Sequence, residues 1–397
     1  MSAFPAITNA KETTFGKLVA TVSTNNKKVQ KREYLESGQF PVVDQGQQFI
    51  GGYCDDESKV ISEDLPLLVF GDHTRTFKYL DQPFVPGADG VKVLKPLGVN
   101  AKWLYHIAHA LDFPDKGYAR HFQHLKNAKL RVPPLQDQRC IVEEIERRFS
   151  HLEVGVAALH RVQANLKRYR AAVLKAACEG RLVRGRGDWA ELPLKKLIGK
   201  IGQGWSPKCD TSRDPSPGEW SVITTTAVQP MKYVDGQGKP LPNDLEPRPH
   251  LEIRPGDFLM TRKGPRKRAG VTCLVHATMQ HLMVCDTVYR FRCNESLVEP
   301  RYLEVALNSP DVAKAIDRQK AGISESGVSL THGKLGVVPI PVPSLTEQRE
   351  IVAEVERRLS VIEKLDTAVA ANLQRAVRLR QSILQRAFGD PVRLNSK

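Results

Sequence analysis

Gln138-Arg-Cys-Ile-Val-Glu-Glu-Ile-Glu-Arg-Arg-Phe-Ser150 returns 210 residues later as Gln348-Arg-Glu-Ile-Val-Ala-Glu-Val-Glu-Arg-Arg-Leu-Ser360. Nine of the thirteen positions are identical, and the register holds without a gap to Leu174/Leu384 and Ala177/Ala387. A repeat of such long period divides the chain into two halves of one plan, a globular segment followed by a helix in each. Pro133 and Pro134 precede the first helix and Gly180 follows it, which predicts a helix over about 135–179. For the second, Ser344-Leu-Thr-Glu347 fits a capping box and Gly389 a stop, which predicts 345–388.

Apolar residues recur along both helices at alternating three- and four-residue steps. The first has Ile141, Ile145, Phe149, Leu152, Val156, Leu159, Leu166, Tyr169 and Val173; the second has Ile351, Val355, Leu359, Ile362, Val369, Leu373, Leu379 and Ile383. That is the seam of a coiled coil. A helix of about 40 residues is roughly 60 Å long at about 1.5 Å per residue, too long to bury its stripe on a small domain. The simplest partner for each copy is the other, antiparallel and within the chain; pairing between two chains is the competing arrangement. Gly155 interrupts the first copy at a cost of about 1 kcal/mol, where the second has Leu365.

The remaining segments, 1–132 and 181–342, are broken by Gly, Pro and Asn into short β-like runs. Among these are Pro66-Leu-Leu-Val-Phe70, Val91-Lys-Val-Leu94, Asp257-Phe-Leu-Met260 and Thr287-Val-Tyr-Arg-Phe291. Each segment then has a helix-like stretch, 101–111 and 300–307, and a short apolar run, 130–132 and 337–340. The matched order predicts two α/β domains of one fold whose loops have diverged, the pattern expected where loops carry specificity.

The 397 residues carry 59 Lys+Arg against 44 Asp+Glu, a formal charge of +15, which favours a polyanionic partner, nucleic acid first. The densest cluster is Thr261-Arg-Lys-Gly-Pro-Arg-Lys-Arg-Ala-Gly270, with Arg262, Lys263, Arg266, Lys267 and Arg268. Its counterpart in the first domain is Phe70-Gly-Asp-His-Thr-Arg-Thr-Phe-Lys78, with Arg75 and Lys78. Arg and Lys bind phosphate, and Arg also takes guanine bidentately. Two further polar stretches, Lys116-Gly-Tyr-Ala-Arg-His-Phe-Gln-His124 and residues 318–327, add Arg120 and Lys320. All nine are candidate DNA contacts; a solvated basic hairpin is the plainer alternative.

Seven scattered cysteines, with no CxxC pair, argue for reduced thiols in the cytoplasm rather than a disulfide framework or zinc site. No signal-peptide pattern opens the sequence and no apolar run approaches the roughly 20 residues of a membrane span. No P-loop, HExxH or GxSxG occurs. Asp72-His73 is an acid–base pair on paper only, because neighbours on one strand end point apart. These features together describe a reader of nucleic acid.

At this point the chain resembles a known family, the specificity subunits of type I restriction–modification systems. The resemblance rests on the duplicated lead-in to each helix, Pro133-Pro-Leu-Gln-Asp-Gln-Arg-Cys-Ile-Val142 and Pro343-Ser-Leu-Thr-Glu-Gln-Arg-Glu-Ile-Val352. The helix ends Tyr169-Arg-Ala-Ala-Val-Leu-Lys-Ala-Ala177 and Leu379-Arg-Gln-Ser-Ile-Leu-Gln-Arg-Ala387 look similar too. So do Gly38-Gln-Phe-Pro-Val-Val43 and Pro255-Gly-Asp-Phe-Leu-Met-Thr-Arg262 within the domains. Asp137, where Glu is usual, and Ser344, where a second Pro is common, are mild departures.

The resemblance implies an α+β fold: two α/β target recognition domains separated by two long helices that pair as an antiparallel intramolecular coiled coil. The implied boundaries are 1–132 and 181–342 for the domains and 133–180 and 343–389 for the helices. Each domain would read one half of a bipartite site in double-stranded DNA. The helices would set the spacing, about 60 Å or roughly 17 base pairs before tilt, and dock two methyltransferase subunits, joined by restriction–translocation subunits. Gln138, Arg139, Ile141, Ile145, Phe149, Leu152, Gln348, Arg349, Ile351, Val355, Leu359 and Ile362 are the expected pairing and docking positions. S-adenosylmethionine, ATP and Mg would be bound by the partners, with no cofactor in this chain and no membrane partner. A coiled-coil scaffold and a stand-alone DNA-binding protein or nuclease remain open alternatives.

Overall fold

The computed structural model describes residue 4 and residues 9–88, 90–111, 120–183, 189–209, 212–216, 218–322 and 325–389. The predicted residues 116–119 and 323–324 lie outside them. The two long helices run Leu135–Cys178 and Leu345–Phe388, within one residue of the sequence-based limits. The first runs unbroken through Gly155, beside which a Cβ would meet nothing within 4 Å.

The ends form as expected. Ser344 N–H donates to the Glu347 carboxylate (3.0 Å) and Glu347 N–H to the Ser344 hydroxyl (3.3 Å), a reciprocal cap. Gly180 takes φ +70°, so that Arg181 N–H reaches back to Ala176 O at 2.9 Å and closes the first helix.

The chain divides into two compact units, residues 1–160 with 370–397, and residues 161–369. Each therefore combines one strand-rich segment with part of both long helices. In the first unit a four-stranded sheet has the order Val19–Val22, Val91–Pro96, Leu67–Gly71, Phe77–Leu80. Beside it, Phe40–Val43 lies between antiparallel Gly52–Cys54 and parallel Val85–Pro86, and Lys11–Thr14 pairs with Lys129–Val132.

The second unit repeats this topology. Its four-stranded sheet has the order Gly202–Gln203, Val288–Phe291, Phe258–Thr261, Thr272–Leu274. Ser221–Ile223 lies between antiparallel Gly238–Pro240 and parallel Leu282–Met283, and Ala190–Pro193 pairs with Pro339–Val342. A short helix, Ala101–Ala110 or Pro300–Leu307, packs in each.

Many of the seam residues are buried inside the chain, but Tyr169 and Leu379, expected in the seam, are exposed. In the first unit Ile141, Val142, Ile145 and Phe149 join Phe70, Trp103 and Leu104 in one core, together with Ile383, Leu384 and Ala387 of the second helix. Arg380 lies over the Phe149 ring, 4.3 Å from its centroid. Rising numbers on one helix thus meet falling numbers on the other, the antiparallel sense. In the second unit Leu166, Val173, Ile351, Val355, Leu359 and Ile362 are buried, and Arg170 faces Glu363 at 3.7 Å. The repeated Glu-x-x-Arg-Arg makes the same fork twice: Arg147 and Arg148 on Glu144, Arg357 and Arg358 on Glu354, at 2.6–2.9 Å. These guanidiniums hold each carboxyl down to about 2.

Candidate nucleic-acid interface

In the first domain the strand Leu67–Gly71 leads into the turn 72–76, which returns as Phe77–Leu80. Arg75 takes φ +60° there, its N–H donating to Gly71 O, and is half-buried. Asp72 is buried and hooks the following segment: its Oδ1 accepts from Phe122 N–H at 2.7 Å and its carbonyl from His121 N–H at 3.0 Å. Asp72 is thus a structural fastener, and it brings exposed Arg120 to the turn that carries Arg75.

Lys78 has a different place from the outward one expected of a phosphate ligand. Its side chain is 3% exposed, and Nζ donates to the carbonyls of Asp44 (2.8 Å) and Gln48 (2.6 Å). Burial pulls the ammonium below its ordinary pKa, while the Asp44 carboxylate, 3.6 Å away, opposes the shift. Lys78 is committed to the shape of the loop 44–48.

The basic loop of the second domain follows Phe258–Thr261 directly, as expected. Three of its arginines are bound to the protein itself rather than left free. Arg262 Nε donates to Asp286 O (2.7 Å) with its guanidinium over Tyr289. Arg266 pairs with Asp317 at 2.7 Å. Arg268 donates to Thr225 O (2.6 Å), Val228 O (2.8 Å) and Gln229 Oε1 (3.2 Å).

Lys320, 8% exposed, donates to Arg266 O and Asp317 Oδ1, both at 2.7 Å. Together Arg266 and Lys320 hold the Asp317 carboxyl below the usual range. The structure thus joins the two basic stretches of this domain through Asp317, but commits Lys320 and Arg268 to loop geometry. Lys263 and Lys267 face solvent. An open cavity of about 410 Å³ lies between Lys263, Pro265 and Arg268 on one side and Thr224, Thr225 and Ser206 on another.

On the helices, Gln138 and Gln348 are 1% and 0% exposed, so neither is a docking residue. Gln138 accepts from Asn100 N–H (2.8 Å) and donates to Pro133 O (2.8 Å). Gln348 accepts from Glu299 N–H (2.7 Å) and donates to Pro343 O (2.8 Å) and Leu297 O (3.1 Å). Each clamps the start of a long helix to the capped start of the short helix of its own domain. Ile141, Ile145, Phe149, Ile351, Val355, Leu359 and Ile362 are likewise internal, while Arg139 and Arg349 are exposed.

What the helices offer outward is another set. Val154 and Val377 are 66% and 73% exposed in the first unit, and Val361 and Leu365 are 50% and 46% exposed in the second. Leu152 lines two apolar grooves of the first unit, of about 380 and 450 Å³. Sequence reasoning misses the clamping role of the repeated glutamine and the loops 44–50 and 224–229. A glycine–glutamine run and a triple threonine are the only marks those loops carry.

No protein-family model matches the chain. Over 202 residues it is 33% identical to the type I restriction enzyme EcoEI specificity subunit of Escherichia coli, covering 50% of this chain and 34% of that one. Over 267 residues it is 26% identical to the EcoKI specificity subunit of E. coli strain K12, covering 65% and 56%. The chain thus spans between about a third and just over half of the length of these relatives. A solved chain from work on complex assembly and conformational transition of the type I R-M system superimposes with TM-score 0.67 over 98% of this chain and 100% of that one. At 18% identity that likeness shows the fold. Among the described residues no helix is long and apolar enough to cross a membrane.

Proposed function

We propose that this chain, related in sequence to the specificity subunits of type I restriction enzymes, is the DNA-reading subunit of such a system. Each strand-rich domain reads one half of a bipartite, gapped site, and the paired helices set the gap and dock methyltransferase subunits. One observation carries the reading: a single strand topology occurs twice, each time clamped by a buried glutamine to the long helix that follows it, with different loop chemistry on the two copies. A fixed scaffold bearing two unlike surfaces suits two unlike half-sites. The chemistry on the target base belongs to the partners. They supply S-adenosylmethionine for methylation, and ATP with Mg for translocation by restriction subunits. This chain's residues bind and orient the duplex.

The test is genome-wide detection of modified bases in cells expressing the chain with a type I methyltransferase subunit. A gapped, two-part motif that depends on this chain is the expected result. Its absence, with the two proteins shown to associate, would sink the proposal in favour of a scaffold.

Lys263 and Lys267 point to a second measurement. Their joint replacement by Ala should weaken cognate and non-cognate duplexes alike. It should also flatten the slope of log K against log salt by about 1.8, at about 0.9 for each phosphate no longer neutralised. An unchanged slope would place both lysines away from the backbone of DNA.

A further inference from the structure

We propose that the tip Gln47-Gln48-Phe49-Ile50 is a base-reading element of the first domain, taking adenine through its amides and the thymine methyl through its apolar side chains, and that Lys78 is the positioning residue behind it. The inference deepens the DNA-reading proposal and rests on it.

These four consecutive residues are exposed on the hairpin between Phe40–Val43 and Gly52–Cys54, Phe49 by 54% and Ile50 by 37%. A two-stranded ribbon fits the major groove, where adenine shows a donor beside an acceptor and thymine its methyl group. A glutamine amide matches the first, and an exposed Phe or Ile meets the second.

The tip is held in place by its neighbours. Gly46 N–H donates to Asp44 Oδ1 (2.8 Å), and the Thr74 hydroxyl to Gln45 O (2.6 Å). Beneath it, Lys78 ties the carbonyls of Asp44 and Gln48 together. Burying an ammonium contributes little net stability, because desolvation cancels most of the attraction. What it supplies is one fixed shape for a surface that must match base edges closely.

The second domain uses the same device with other residues. The segment leaving the equivalent middle strand, Ser221–Ile223, is tied at Thr225 O, Val228 O and Gln229 Oε1 by Arg268. In both domains a cation from the hairpin of the large sheet crosses to the loop that follows the middle strand of the small one. The tied loops differ completely: Asp44-Gln-Gly-Gln-Gln48 in one, Thr224-Thr-Thr-Ala-Val-Gln229 in the other. A shared post beneath unlike loops is what separate reading of two half-sites requires.

The experiment uses the full chain with a type I methyltransferase subunit and compares wild type, Gln47→Ala/Gln48→Ala, Phe49→Ala and Lys78→Met. The readouts are the methylated motif, its discrimination at each position, and thermal stability. The double variant should relax A·T positions of one half-site by about ten- to a hundredfold and leave the other half-site intact. Phe49→Ala should relax the same half-site more weakly. Lys78→Met should relax the same positions as the double variant. If Lys78→Met only lowers the melting temperature and keeps the motif, the positioning role falls. If the double variant keeps the motif, the reading role falls, whether or not Lys78→Met folds. A wild-type chain that confers no gapped motif defeats the DNA-reading proposal and this one with it, a result separable from the others.

Discussion

Two heptads inserted at matching heights in both long helices should widen the unread gap of the recognised site by up to about six base pairs while leaving both half-sites unchanged. The insert adds about 14 residues, or roughly 21 Å at about 1.5 Å per residue, against about 3.4 Å per base pair. Whole heptads keep the seam facing its partner, so that Ile141, Ile145 and Phe149 still meet Ile383, Leu384 and Ala387. The same insert in one helix alone puts the seam out of step and should abolish methylation. The motif logo decides the matter. An unchanged gap with both helices lengthened means that the spacing is set elsewhere.

The second large effect concerns stability. Gln348→Leu should destabilise the chain by about 2–5 kcal/mol, since it leaves Glu299 N–H and the carbonyls of Pro343 and Leu297 without partners, at about 1–3 kcal/mol for each buried group that water does not rescue. Gln138→Leu should cost somewhat less, having two partners where Gln348 has three. Arg349→Ala, one residue along and exposed, is the control and should stay within about 0.5 kcal/mol. Urea denaturation of the three variants measures this. A Gln348→Leu protein as stable as the control would mean that the clamp is ornamental.

The parts of this architecture that depend on near neighbours are legible in the sequence. Helix limits follow from Ser344, Glu347, Gly180 and Gly389, each acting within one turn of its effect. Strands such as Leu67–Gly71 and Val288–Phe291 follow from short apolar runs. The roles of the charged side chains are not legible in this way. Lys78 answers to Asp44 and Gln48, some 30 positions upstream, and Arg266 to Asp317, 51 positions downstream. A sequence shows how many charges a loop holds, but not which are already satisfied. The basic loop therefore reads as five outward hands, where the structure has Lys263 and Lys267 outside, Arg262 and Arg268 bonded to backbone carbonyls of neighbouring loops, and Arg266 paired with Asp317 at the surface. The role of Gln138 is hidden for the same reason. The helix period marks it as part of a repeated surface, and only the fold brings Asn100 N–H against it.

The first unit draws its core from both ends of the numbering: Ile383, Leu384 and Ala387 fill the same interior as Phe70, Trp103 and Ile145. During synthesis the amino-terminal domain therefore leaves the ribosome with a hole in it. Its apolar wall stays open while the whole second domain is made, and is sealed only when residues 383–387 emerge. Elongation at about 5–20 residues per second makes that a wait of many seconds, in which the exposed wall is a target for chaperones or for other nascent chains. The last turns of the second helix act as a late-arriving plug, so premature termination before residue 383 would damage a domain made well upstream of it.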